Sequence, residues 1–222
     1  MGKSDMRIVN EKQVEKEHYR FEKYSSIERF TDYFYQVKLM MKYEGKKVLY
    51  IGVGDDIVPS MVKKYNNMLP DKKKVNISSF DVDSELNPDI VGDIYEIDKI
   101  IDSNDFDCLC LFEVLEHFPK KDLNKLLQKL SKVTKKDIII SIPYVGITFN
   151  GFIKFPYLNK FNFLFKIPIY NKINHEEHFW EIGRKNMKKR EFEKLLEKHF
   201  LIKDRFINKY QGSHIFYICR KK

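Results

Sequence analysis

The chain has 222 residues, 43% of them hydrophobic and 33% charged, with a formal net charge of +9. That length and apolar content suit one globular domain and exclude a largely disordered chain. The charge brings acidic partners into view (nucleic acid, anionic lipid, a phosphorylated substrate), but the lysines are spread along the whole chain rather than gathered in a patch. The three cysteines, Cys108, Cys110 and Cys219, have no framework spacing and fit a reducing compartment better than a disulfide-stapled fold. No run approaches the ~20 apolar residues of a membrane span, and Met1 to Lys23 is too charged for a signal peptide. A cytoplasmic location is expected.

A polar N-terminal segment, residues 1–23, is expected to fray ahead of a single domain over 24–222. Ser25 and Glu28 stand as in a capping box, and Ile27, Phe30, Phe34, Val37 and Met41 recur at helical spacing. They predict an amphipathic helix with those residues as its apolar face, stopped by Gly45. Val48 to Ile51 reads as a strand, followed by Gly52-Val53-Gly54 and a helix around Pro59 to Tyr65. Lys74 to Val82 predicts a second strand, then a loop rich in Asp, Asn and Pro to about Asp93. Phe106 to Phe112 is a buried strand; Leu123, Leu126, Leu127, Leu130 and Val133 mark a helix; Asp137 to Ile142 is another buried strand, closed by Pro143. This alternation predicts a parallel sheet covered on both faces.

Val145 to Ile173 is dense in aromatics with interleaved lysines and no clear period, an expected insertion at about 145–173. The readings open to it are a lid over an apolar or sugar acceptor, an interfacial membrane segment, or a packed insertion. His175 to Gly183 is polar and His-rich, Glu191 to Phe200 reads as a helix, and Leu201 to Phe206 with His214 to Cys219 reads as a strand pair joined through Gln211-Gly212.

A strand running into Gly52-x-Gly54 and a helix is a nucleotide-type loop, in which glycine lets the backbone turn sharply and approach a ligand. Asp81 ends the second strand, where a carboxylate can take both ribose hydroxyls. A dinucleotide site needs a neutral loop and a third glycine for the pyrophosphate; here Asp55 and Asp56 follow Gly54 and Ile57 takes the third place. Two carboxylates repel a pyrophosphate but suit a cofactor carrying a sulfonium and an ammonium. Electrostatics therefore favours S-adenosylmethionine over NAD.

Val48-Leu49-Tyr50-Ile51-Gly52-Val53-Gly54 resembles the first motif of the class I S-adenosylmethionine-dependent methyltransferases. Phe80-Asp81-Val82-Asp83 is similar to their ribose-binding strand end, and Val91-Gly92-Asp93-Ile94 to the segment whose Asp reaches the adenine. Phe106 to Phe112 with Glu113-Val114-Leu115-Glu116-His117 resembles their fourth strand and its ending, and Ser141-Ile142-Pro143 their fifth. The chain is also similar to a group of uncharacterised prokaryotic methyltransferases through Asn87 to Asp93 and His178-Phe179-Trp180-Glu181-Ile182-Gly183. The resemblance implies an α/β Rossmann-like fold, a mostly parallel seven-stranded sheet with helices on both faces and an antiparallel terminal strand. The residue pattern alone predicts five or six strands.

The implied cofactor set is Gly52, Gly54, Asp55, Asp56, Asp81, Val82, Asp93, Ile94 and Glu113. Two positions depart from the family: Tyr50 where it has Asp or Glu, and Asp56 where it has Gly. Asp55 or Asp56 could replace the missing carboxylate. The implied reaction is transfer of the sulfonium methyl to an acceptor oxygen or nitrogen, on a small molecule, a glycan or a lipid-linked metabolite. His117 is either a base beside the methyl or a histidine that orders its loop, with Glu116 helix-terminal and structural. His175, Glu177, His178 and Trp180 form the densest later polar cluster, serving the acceptor side or ordering a loop. No metal is expected, because His175-Glu176-Glu177-His178 is not the helical His-Glu-x-x-His pattern. A nucleic-acid acceptor is disfavoured because no Asn/Asp-Pro-Pro-aromatic motif follows Phe112 and the cysteines lie in buried strands. A non-catalytic relative acting through partners is the other rival.

Overall fold

A computed structural model describes residues 20–157, 160–169 and 178–222. The chain begins with one helical turn, α1 (Phe21–Tyr24), and a long helix, α2 (Ile27–Met40). The α2 cap is Ser26, whose hydroxyl accepts from the Arg29 N–H at 3.2 Å; Ser25 instead closes α1.

Alternation of β1 (Lys47–Ile51), α3 (Ile57–Asn66), β2 (Asn76–Asp81), β3 (Ile90–Val91), α4 (Ile97–Ile100), β4 (Phe106–Phe112), α5 (Leu123–Val133) and β5 (Thr134–Pro143) builds the parallel part. The two-residue β3 lies in what reads by sequence as loop. A hairpin, β6 (Ile147–Ile153) and β7 (Phe161–Ile167), follows, then α6 (Lys189–Leu196), β8 (Phe200–Ile207) and β9 (His214–Lys221).

Seven strands form one sheet in the order β3-β2-β1-β4-β5-β9-β8. β9 runs antiparallel between β5 and β8, and the other neighbouring pairs are parallel. The central strands are buried on both faces, and their period of two divides them between two cores. Val48 and Tyr50 of β1 with Cys108 and Cys110 of β4 pack under α2 and α3. Leu49, Ile51, Leu109 and Leu111 pack against α4, α5 and α6 on the opposite face. All three cysteines are buried free thiols. No helix among the described residues is long and apolar enough to cross a membrane.

Two expectations change here. The buried face of α2 is Asp32, Tyr33, Gln36, Val37, Leu39 and Met40, while Ile27, Phe30 and Phe34 are exposed. The aromatic stretch does have a period: β6 and β7 pair with Ile147 opposite Ile167, Phe149 opposite Phe165 and Ile153 opposite Phe161. Directly opposed residues share a face, so these apolar side chains lie together, and they are exposed. The other face is polar at Thr148, Asn150, Asn162 and Lys166 and also carries Leu164 and an exposed Phe152. Asn150 donates to the Tyr210 carbonyl at 2.7 Å and Lys166 to the Gly212 carbonyl. The hairpin thus sits polar side down on the turn between β8 and β9, apolar side out.

Candidate functional site

The carboxyl ends of β1, β2 and β4 meet at one edge of the sheet. Gly52 (φ 86°) and Gly54 (φ 59°) both take the left-handed backbone that lets β1 turn into α3. A Cβ on Gly52 would lie 2.6 Å from Val114 Cγ2, so the loop rests directly on the segment after β4. Asp81 is pinned between them: its Oδ2 accepts the Val53 N–H at 2.7 Å and its Oδ1 the Asp83 N–H at 2.9 Å. Burial pushes its pKa up, opposed by these backbone donors. A carboxylate offers about four lone-pair sites, so this one, aligned by two amides, keeps acceptor capacity for further donors.

Asp55 and Asp56 part company. Asp55 accepts the Tyr33 hydroxyl and the Ile57 N–H at 3.2 Å, tying α2 to the loop. Asp56 is exposed and accepts from Ser60 at 2.7 Å. It stands at the start of α3 with its side chain turned to Ser60 and solvent, apart from Asp55. Its backbone (φ 56°) is the left-handed one for which glycine is the usual choice and Asp a tolerated one. Tyr50 is buried against Phe112 and is a core residue.

Asp93 caps the turn Ile94–Glu96, accepting the Tyr95 N–H at 2.8 Å, and burial raises its pKa. It lies beside Asp81 because β3 pairs Val91 with Asp81. Ile94 is buried in the core, which leaves its backbone as the part able to reach a ligand. Val82 is exposed at the end of β2.

Glu113 (φ 57°) turns out of β4 in the left-handed region, uncommon for a side chain of its size. Its carboxylate meets Arg29 of α2 at 3.4 Å and His214 Nε2 of β9 at 3.5 Å. His214 Nδ1 lies 2.7 Å from Asp32, which is 1% exposed and is also held by Asn208 at 2.7 Å and by Gln211. Burial works against the imidazolium, yet Glu113 and Asp32 prevail and His214 is raised to about 9. Sequence reasoning missed Arg29, Asp32 and His214. Polar Asp32 and Gln36 on what should be a buried helix face were the available signal; His214 offered none.

Beyond Glu113, Glu116 is 0% exposed, and neither carboxylate oxygen has a hydrogen-bond partner among the described residues. Burial and Glu113 push its pKa well up. The rings of His117 and His178 meet edge to face at 4.9 Å. One ligand-capable atom from each of Glu116, His117 and His178 lies within 4.8 Å of the others. His178 Nδ1 sits 2.9 Å from Glu181 Oε1, and Arg184 holds the other Glu181 oxygen at 2.9 Å. Burial raises the Glu181 pKa, but these two partners lower it overall. Trp180 is wholly buried against Phe192 and donates to the Phe118 carbonyl at 3.0 Å. It is core, not part of an acceptor lid. His175 and Glu177 lie outside the described residues.

Residues 39–142 match the family described as a methyltransferase domain. No curated protein matches the chain. An Aquifex aeolicus S-adenosylmethionine-dependent methyltransferase superposes with TM-score 0.59 at 14% identity, over 94% of this chain and all (100%) of that one. A Pyrococcus horikoshii protein gives TM-score 0.58 at 15% identity, over 94% and 100%. The 1,6-didemethyltoxoflavin-N1-methyltransferase of Burkholderia thailandensis, solved with 1,6-didemethyltoxoflavin and S-adenosylhomocysteine, gives 0.55 at 13%, over 86% and 78%. Domain match, motif order and strand order agree: residues 39–142 match a methyltransferase domain, and the chain has the fold of the S-adenosylmethionine-dependent methyltransferases.

Proposed function

We propose that the chain methylates an oxygen or nitrogen of a lipid-linked or otherwise apolar small acceptor, at the carboxyl edge of the sheet beside the glycine loop. The observation that carries the cofactor half is Asp81, fixed by the Val53 and Asp83 amides with acceptor capacity left over. The residues present fit S-adenosylmethionine. Asp81 would take the ribose hydroxyls, Gly52 and Gly54 would allow the backbone close approach, and Val82, Asp93 and the Ile94 backbone would flank the adenine. Asp55 and Glu113 supply negative charge suited to an ammonium and a sulfonium. When bound, the cofactor supplies an activated methyl group. The protein's task is then to align the acceptor and exclude water.

The acceptor class rests on the hairpin. Phe149 and Phe165, 58% and 66% exposed, head an apolar face, and exposed Lys154 and Lys160 lie in the connection between the two strands, with the Lys160 ammonium over Phe152 of the other face. Apolar area beside cationic side chains is the composition of an interfacial membrane contact. The polar face sits on the turn that leads into Gln211 and His214, so a membrane-seated hairpin would bring an apolar acceptor to the edge where Glu113 lies. His117 or His178 could take a proton from the acceptor where it holds one. Calorimetry with S-adenosylhomocysteine and sedimentation with vesicles of phosphatidylglycerol and phosphatidylcholine test the two halves separately. Binding to both supports the proposal. Binding to S-adenosylhomocysteine alone would leave a methyltransferase of water-soluble acceptors, and binding to neither would defeat it.

A further inference from the structure

We infer that Glu116, His117 and His178 bind a divalent transition-metal ion, with Glu181 as the positioning residue behind His178. The argument starts from Glu116. A fully buried carboxylate with neither oxygen partnered among the described residues is a costly arrangement if the group is ionised. Two imidazoles reach the same point from different segments, one from the end of β4 and one from the approach to α6, with a ligand-capable atom of each inside the 4.8 Å cluster. The Glu181 carboxylate accepts a hydrogen bond from His178 Nδ1–H, which fixes the tautomer in which Nε2 is the ligating nitrogen. Carboxylate–histidine pairs of this kind orient metal-ligating imidazoles and raise their basicity. Arg184 in turn holds Glu181.

The other acid–histidine cluster, Asp32, Glu113 and His214, makes a useful contrast. There Arg29 already supplies a cation to Glu113, and Asn208, Gln211 and His214 already occupy Asp32. Those carboxylates are satisfied; the Glu116 carboxylate has no hydrogen-bond partner among the described residues. Two imidazoles and one carboxylate are borderline ligands that suit Zn²⁺ or Mn²⁺ better than Ca²⁺. Three protein ligands leave coordination positions open, as in catalytic rather than structural sites. Val114, which packs on Gly52, lies two residues before Glu116, so the ion would sit beside the cofactor loop. Resting on the methyl-transfer reading, its role there is to hold and polarise an acceptor oxygen, and with the ion bound His117 and His178 serve as its ligands in place of a base. The sequence did not suggest this set because its ligands come from segments far apart and the adjacent His-Glu-Glu-His string is not the one used.

The test is calorimetric titration of the tag-free, chelator-treated full chain with ZnCl₂ and MnCl₂, paired with S-adenosylhomocysteine titration of the same samples. One ion per chain is expected. Glu116→Gln, which keeps shape and removes charge, should weaken it at least tenfold, and His178→Ala more. Glu181→Gln should cost roughly 10–100-fold without touching the ion, a loss that adventitious histidine binding would not show. His199→Ala, on the far side of α6, should leave the affinity unchanged. Absence of ion binding, or affinity indifferent to Glu116→Gln and His178→Ala, overturns the inference. A chain that takes the ion but not S-adenosylhomocysteine would instead overturn the methyl-transfer reading and leave the metal site standing.

Discussion

The glycine loop and the β6–β7 hairpin lie at the same edge of the sheet and are built in opposite ways. In the loop, short-range backbone contacts hold the functional acid: Asp81 is gripped by amides of Val53 and Asp83 and covered by α2 through the Tyr33–Asp55 contact. In the hairpin, the polar face is turned inward onto the 209–212 turn and the apolar face outward. The first arrangement suits a ligand whose groups are always the same. The second suits a partner that supplies apolar surface of its own. A constant cofactor and an apolar acceptor would need this division.

The sharpest way to break the comparison is at Asp81. Asp81→Ala removes two charge-assisted hydrogen bonds to the ribose, each of roughly 1.5–3 kcal/mol. S-adenosylhomocysteine affinity should fall about 100-fold or more by calorimetry, with the far-ultraviolet dichroism unchanged. An unaltered affinity would mean the ribose site has been misplaced.

The hairpin gives the next largest effect. Phe149→Ser combined with Phe165→Ser should weaken partitioning onto anionic vesicles about tenfold or more, since each half-exposed aromatic side chain would add a fraction of the roughly 1.5–3 kcal/mol of full burial. S-adenosylhomocysteine affinity should not change. If these substitutions destabilise the fold, the phenylalanines pack against protein and the interfacial reading is wrong.

A third prediction concerns the network that joins α2 to β9. His214 is raised to about 9 in the folded chain, against roughly 6.5 unfolded. Its contribution is therefore complete below pH 6.5 and lost as pH rises through 9. The melting temperature should drop by roughly 5 °C between pH 6.5 and 9.5, and His214→Gln should remove that step. A parent profile that is flat across this window would contradict the assignment of Asp32 and Glu113 as partners of an imidazolium.

The smallest effect is expected at Asp56. Its carboxylate faces Ser60 and solvent, so Asp56→Asn, which tolerates the same left-handed backbone, should change S-adenosylhomocysteine affinity less than about twofold, a few tenths of a kcal/mol. Tyr33→Phe should cost more, because it frees Asp55.

These contrasts also explain what could be read from the residues alone. The stretch from Val48 to Pro143 was legible because its strands are buried on both faces and its ligand-facing residues sit at strand ends, next to their own supports. The short β3 escaped notice because two residues carry no pattern. The α2 face was misjudged because counting apolar residues placed Phe30 and Phe34 inward. Asp32 is buried instead because Asn208 meets it from 176 positions further along the chain. The hairpin alternation was hidden for a related reason: aromatics at Phe161, Phe163 and Phe165 look like core, and a solvent-facing apolar sheet violates the expected polarity. Both misreadings fall on segments that meet at the turn between β8 and β9, where long-range partners override the local pattern.

The account stands on the cofactor, and calorimetric titration of the unmodified chain with S-adenosylhomocysteine, run beside NADH, addresses it most directly. One S-adenosylhomocysteine per chain is predicted, with a matching rise in melting temperature, and no heat from NADH, whose pyrophosphate would meet Asp55. Binding of NADH without S-adenosylhomocysteine, or silence from both at millimolar ligand, would contradict it.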